Sequence, residues 1–351
     1  MSAVLAPGGG SAVTTHRSKG VWAAAATRFR SDRVGMTSLV IVAVFLLVVL
    51  ASALGLVARD WQAERGVPDA PPTFMGPAAK TQSVAVAAPS GPNVDISAID
   101  PLAPRYKDWA EAAKKYQTTE AVRAATLPFG ADRLGRDVLA KAVKGAQVSI
   151  LVGVSAAVLA TLIGTLLGAV AGFFGGKAGD FLEWVYNVFT AIPGILLIFA
   201  FAAVFGRGIG SVVLILGLAG WTGIYRLVRA EFIKHAVRDY VRSAEAIGAS
   251  TFARMFKHIL PNVSHVVLVQ LSIHVVGFIK SEVILSYLGL GVGVDQVSWG
   301  TMLSEAQSEL ILGHWWQLAA ATVFMAVFVT AFSLMTDALR DALDPKLRGL
   351  E

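Results

Sequence analysis

The chain has 351 residues, 55% of them hydrophobic and 15% charged, with a mean hydropathy of +0.63, against roughly 25% charged residues in a soluble domain. Its net charge of +6 and pI near 9.6 do not mark a nucleic-acid binder, because Lys and Arg flank apolar runs instead of forming a patch interleaved with aromatics. Cysteine is absent and the six His show no ligand spacing, so no disulfide framework, metal or cofactor is expected.

In chain order, residues 1–34 read as a cytoplasmic leader: 1–20 are rich in Gly, Ser and Ala, and Val21–Arg33 carries Arg28, Arg30 and Arg33 as a membrane anchor. The first apolar run, 35–58, is too long for a signal-peptide core and no small-residue cleavage site follows it, so it is expected to stay as a first span. Residues 59–146 form a long polar, extracytoplasmic region with Pro-rich pieces at 70–72, 89–92 and 101–104 and a helix-like stretch over Tyr106–Ala125. Five further runs, 148–173, 181–205, 211–228, 263–288 and 314–335, lie in a core spanning 147–338, ahead of a tail at 339–351. Lipid leaves no water for backbone groups, so the expected fold is an all-α integral membrane protein with six transmembrane helices.

Charge sets the orientation. No Lys or Arg occurs between Lys280 and Arg340, whereas 226–257 is rich in both. The positive-inside rule therefore places the leader, the 226–262 segment and both termini in the cytoplasm and the 289–313 loop outside.

Ala171–Ala178 is the nearest approach to a phosphate-binding loop, but Ala replaces both its first Gly and its Ser/Thr, and no strand precedes it. The chain is thus expected to be no enzyme, and any ATP-driven step must be carried by a partner. The segment Asp239–Asn262 reads as two short helices with a break. Tyr240, Val241, Ala244 and Ile247 form one apolar stripe, Gly248 suits a left-handed cap, Ser250 or Thr251 caps the second helix, and Pro261 interrupts before the next span. Physics leaves two readings level: a docking element, or a surface loop packed on its own spans.

This segment resembles the cytoplasmic signature of permease subunits in binding-protein-dependent ABC importers, Glu-Ala-Ala-x-x-x-Gly-x(9)-Ile-x-Leu-Pro. Here Ala244-Glu245-Ala246-Ile247-Gly248-Ala249 is followed by Ile259-Leu260-Pro261, with Ser243 in place of one Ala. Phe129-Gly130-Ala131-Asp132-Arg133-Leu134-Gly135-Arg136-Asp137 is similar to the stretch that leads into the second span in the dipeptide/oligopeptide/nickel branch. Gly220-Trp221, Leu285-Ser286-Tyr287-Leu288-Gly289, Ser298-Trp299-Gly300 and Asp337–Pro345 point to the second, C-type permease of that branch's pair. The resemblance implies a bacterial inner-membrane subunit that pairs with a sister permease to form a path for peptides or similar solutes. It also implies two ATP-binding cassette ATPases docked at 230–262, through Ala244, Glu245, Ala246, Gly248, Ala249, Ile259, Leu260 and Pro261, and an extracytoplasmic solute-binding protein. Residues 66–127 are an enlargement it does not explain, Thr336 stands where the family tends to have Gly, and Lys280 is unusual.

Three other features carry alternatives. Lys280 and Glu282 lie within a span, at a cost of at least about 2.5 kcal/mol for each charge, and serve either a path or a buried structural pair; at i and i+2 they do not face each other. Pro193 permits a kink that is either a gate or a static bend. Gly164, Gly168 and Gly172 permit close helix packing, on this chain or on a sister. Gly130, Asp132, Gly135, Arg136 and Asp137 form a mixed-charge extracytoplasmic turn, not a catalytic carboxylate pair. Against the importer stands a self-sufficient secondary transporter or channel, which calls for inverted repeats and midplane carboxylates; Glu183 and Glu282 are present without a convincing repeat.

Overall fold

The structure, a computed structural model, describes residues 21–77, 99–115 and 123–343. The leader 1–20, the Pro-rich piece at 89–92 and the Asp344-Pro345 end of the last motif lie outside them. Regular structure among the described residues is helical, joined by short turns and four isolated backbone bridges.

Helix α1 (Val21–Ser31) leads into α2 (Arg33–Ala53), which starts where the Asp32 carboxylate accepts a bond from Val34 N at 2.9 Å. Irregular chain follows, with α3 (Tyr106–Lys115) as its one α-helix among the described residues. The helix expected to reach Ala125 does not: 116–122 lie outside the described residues, and Ala124 is extended. Ala124 N donates to Arg65 O and Val67 N donates to Ala124 O, each at 2.9 Å, so this backbone is satisfied across the loop and not along a helix.

Helix α4 (Val138–Phe174) is the centre of the molecule. It runs 37 residues, about 56 Å at 1.5 Å each, and begins ten residues before the expected span. Its early turns therefore stand outside a hydrocarbon core of about 30 Å. It packs on α2, α7, α8, α11, α12 and α13. The Gly164, Gly168 and Gly172 row meets α8 of the same chain, which settles which helix they pack against. Cβ atoms there would come 2.6 Å from Trp221 O, 2.7 Å from Tyr225 O and 2.5 Å from Arg229 O, so α8 lies directly on the α4 backbone.

Two expected spans are broken. α5 (Gly176–Ala191) and α6 (Gly194–Phe205) meet at 91°. Proline forces the residue before it out of the helical region; Ile192 has ψ 130, and α6 restarts with Leu196 N and Leu197 N bonded to Pro193 O. α7 (Ile209–Gly220) and α8 (Thr222–Ala236) bend by 43° at Trp221.

α9 (Asp239–Ala246) and α10 (Thr251–Ala253) follow, and α10 runs on through a π-helical stretch, Arg254–Ile259, into α11 (Leu260–Tyr287). Pro261 therefore does not interrupt the helix. The wide turn just before it absorbs the hydrogen bond proline cannot make. α12 (Trp299–Ile311) sits in the loop before the last helix, started by a capping box of Ser298 and Thr301, and α13 (Trp316–Leu343) closes the chain. Four helical stretches are long and apolar enough to cross a membrane (α2, α4, α10–α11 and α13), and the two bent pairs raise the number of crossings to six when each is one span.

Candidate functional site

The 239–262 segment is fixed to the spans from one side and bare on the other. Val241, Met255 and Ile259 are buried with Ala169 of α4 and Ile224, Val228 and Phe232 of α8. The break between α9 and α10 is a Schellman motif. Gly248 has φ +86; its N–H donates to Glu245 O at 2.9 Å, and Ala249 N–H donates to Ala244 O at 2.9 Å. Ser250 then caps α10 by accepting from Ala253 N at 3.3 Å. A side chain at Gly248 would meet nothing within 4 Å, so only its left-handed backbone demands glycine.

Of the expected docking residues, Ala244 and Ile259 point inward, whereas Glu245, Ala246, Gly248 and Pro261 are exposed and Ala249 and Leu260 half-buried. Arg254 pairs with Glu245 at 2.6 Å and lies over the Phe173 ring at 5.4 Å, tying the break to the end of α4. The exposed apolar residues are Ile247, 85% exposed, and Phe252, 71% exposed, on either side of the break. Sequence periodicity put Ile247 on one apolar stripe with Val241 and Ala244; those two are buried, whereas Ile247, at the Schellman turn, is exposed.

The 130–137 motif folds around Asp132, whose side chain is fully buried. It accepts from Leu134 N and Arg136 N at 2.9 Å, from Arg136 Nε at 2.7 Å and from Lys141 Nζ at 2.7 Å. Burial pushes the Asp132 carboxyl up, but Lys141 and the hydrogen bonds outweigh it and hold the group below its ordinary 3.8. Lys141, itself buried, also bonds Glu305 and reaches Gln317 Oε1 at 3.1 Å, and Arg136 lies 3.6 Å from Glu305 and over Trp61. Asp137 caps α4 by accepting from Leu139 N at 2.8 Å. Gly135 (φ +79) sits so close that a Cβ would overlap the Gly66 carbonyl, and Gly130 lies against Trp316, whose Nε1 donates to Ala131 O at 2.7 Å. The motif is thus a buried lock joining the start of α4 to α12, α13 and the 60–73 segment. Sequence reading missed Lys141, Glu305 and Gln317. The one available signal was a lysine among the apolar residues that open α4.

Glu309, on α12, is also buried. It accepts from Arg133 N at 3.2 Å through Oε1, while Oε2 has no partner among the described residues. Burial raises its carboxyl from 4.5 to about 7, against the opposing pull of Arg133 N–H and Lys141. His314 Nδ1 stands 3.3 Å from Asp69 Oδ1 beside it.

The two charges of the α11 span are separated. Glu282 is fully buried, accepts from Ser286 Oγ at 2.6 Å and is faced by Ser149 and Ser298. Lys280 is exposed and forms no ion pair among the described residues. Pro193 stands at the 91° corner between α5 and α6. No nucleophile and base are brought together at any of these places.

Residues 164–349 match the family described as "binding-protein-dependent transport system inner membrane component". Among curated proteins, the dipeptide transport system permease protein DppC of Bacillus subtilis (strain 168) is 37% identical over 220 residues, 63% of this chain and 69% of the relative. The oligopeptide transport system permease protein OppC of the same organism is 33% identical over 238 residues, 66% of this chain and 78% of the relative. The glutathione transport system permease protein GsiD of Escherichia coli O157:H7 is 37% identical over 222 residues, 63% of this chain and 73% of the relative.

Proposed function

The chain belongs to the inner-membrane permeases of binding-protein-dependent ABC transporters, and we propose that it is the C-type permease of an importer for di- or oligopeptides or similar small solutes. It is a multi-pass permease with no ATPase of its own; hydrolysis resides on a separate subunit. In this reading a sister permease completes the path, an extracytoplasmic binding protein delivers the solute, and two ATPases dock on 239–261. The observation that carries the reading is the 239–261 element. It is rigidly rooted in α4 and α8, yet presents Ile247 and Phe252 bare beside a Schellman break. An apolar surface of this kind on a polar turn fits a partner's groove. Rooting it in α4 and α8 lets ATPase closure move two core helices, provided the ATPases bind the two permease states with different free energy. The basic 226–262 segment and both termini are cytoplasmic, and the 59–146 and 289–313 regions are extracytoplasmic.

The test is gentle detergent purification of a tagged chain with identification of its partners and an ATPase assay. The expected complex holds a second permease and ATP-hydrolysing subunits. Gly248→Val, which opposes a left-handed φ at roughly 1–2 kcal/mol, should leave membrane insertion intact, release the ATPases and abolish uptake. Normal uptake by that variant overturns the docking assignment. A lone chain that still transports after reconstitution overturns the importer.

A further inference from the structure

Gln270, His274, Gly277, Lys280, Ser281 and Tyr287 form a polar and small-residue stripe on one side of α11, with the exposed Ile273 and Ile284 set among them. The opposite face, Val275, Ile279, Glu282, Val283 and Ser286, is the buried one. Polar and small residues in a span belong against protein or water, because lipid offers them no partner. Yet none of the described residues covers Gly277 or Lys280 in the middle of the stripe. Lys280 is exposed and unpaired among the described residues, and a Cβ on Gly277, one turn away, would meet no atom within 4 Å. Gln270, at its cytoplasmic end, opens onto a cavity of about 260 Å³ shared with His265 and Arg340. The carboxylate in the same span, Glu282, is turned away and engaged by Ser286. The stripe is therefore cationic as well as polar, with its negative counterpart kept out of reach.

We infer that this stripe lines the solute path and that Lys280 binds the carboxylate of the passing solute. The inference rests on the reading of the solute as a small peptide, whose C-terminal carboxylate is the one negative charge every such peptide offers. Gly277 gives the room beside the ammonium group, and a low-dielectric wall strengthens its charge-assisted hydrogen bonds. Each permease of a pair contributes its own wall, so one cation suffices for one carboxylate.

The test uses the complete transporter with its binding protein in liposomes. ATP-driven uptake of a dipeptide is compared with that of the same dipeptide amidated at its C-terminus. The binding protein is common to all variants, so its own preference cancels in the ratio between them. Lys280→Met should lower uptake efficiency for the free acid by about tenfold or more, leave the amide nearly unchanged, and be largely rescued in Lys280→Arg. Because the chain has no cysteine, Gly277→Cys also reports directly: a water-soluble thiol reagent should label it, while Val44→Cys on the exposed apolar face of α2 stays unlabelled. Equal loss for both peptides would make Lys280 an ion-pair partner of another subunit and overturn the inference. So would an unlabelled Gly277→Cys, or a Lys280→Met variant identical to wild type. Failure of wild type to take up either peptide overturns the peptide reading, and the carboxylate site with it.

Discussion

At the scale of single residues, charge placement is decided by burial. Asp132 and Lys141 are both out of water, 2.7 Å apart, and Arg136, Glu305 and Gln317 occupy their remaining bonding positions. Removing one partner strands the other. Lys141→Met is expected to destabilise the protein by about 3–5 kcal/mol, read as a fall in thermal midpoint in detergent. Glu64→Gln, which breaks the largely exposed pair with Arg123, should cost no more than about 1 kcal/mol. Equal effects would mean that the Asp132 lock is not structural. The sequence displayed Asp132 and Arg136 as a motif but gave no hint that Lys141 and Glu305, 164 positions apart, meet. Local spacing is silent about contacts across the fold.

At the scale of elements, the surprise is α12. The 289–313 loop was legible as acidic, not as a helix packed against α4, α11 and α13 with Trp299, Met302 and Ala306 fully buried. Its thirteen residues are too few to announce a helix by periodicity, and its stability comes from the surfaces it meets. Glu309 makes that attachment pH-dependent. Its folded pKa, about 7, lies above the ordinary 4.5, so the folded state holds the proton more tightly. The stabilisation is fully present below pH 4.5 and is lost as pH rises through about 7. The thermal midpoint of the wild-type chain should thus fall between pH 5 and 8 relative to that of Glu309→Gln, which cannot ionise. Parallel midpoint curves would show that Glu309 is not held protonated. Helix breaks were more readable. Gly248 and Ser250 fix the α9–α10 turn from the sequence because only glycine takes φ +86 at little cost. Pro193 showed where α5–α6 would turn, though not that it would turn by 91°.

At the scale of the whole molecule, one chain leaves much apolar surface bare. Along α5 and α6 only Gly179, Leu197 and Ala202 are buried, and Phe181, Trp184 and Ile195 are exposed. Such an arm suits lipid or a second permease, as the proposed pairing with a sister subunit requires. Orientation can be tested with the same cysteine-free background. Val294→Cys, at a site 92% exposed, should react with an impermeant reagent in intact cells, and Phe252→Cys only after the inner membrane is opened. The reverse pattern would invert the topology and remove the ATPase contact.

Length, hydropathy and the motifs of the sequence by themselves determined that this is a helical membrane protein, where most of its crossings lie and which family signature its 239–262 turn carries. These are properties of contiguous segments, and the bilayer reads them one segment at a time. Only the tertiary structure decided that the row of glycines in α4 serves α8 of the same chain, that Glu282 is buried while Lys280 is bare, and that the 130–137 motif closes on Lys141 and Glu305. Those outcomes depend on which helix faces are covered by other helices, and packing between distant segments leaves no local periodicity to read.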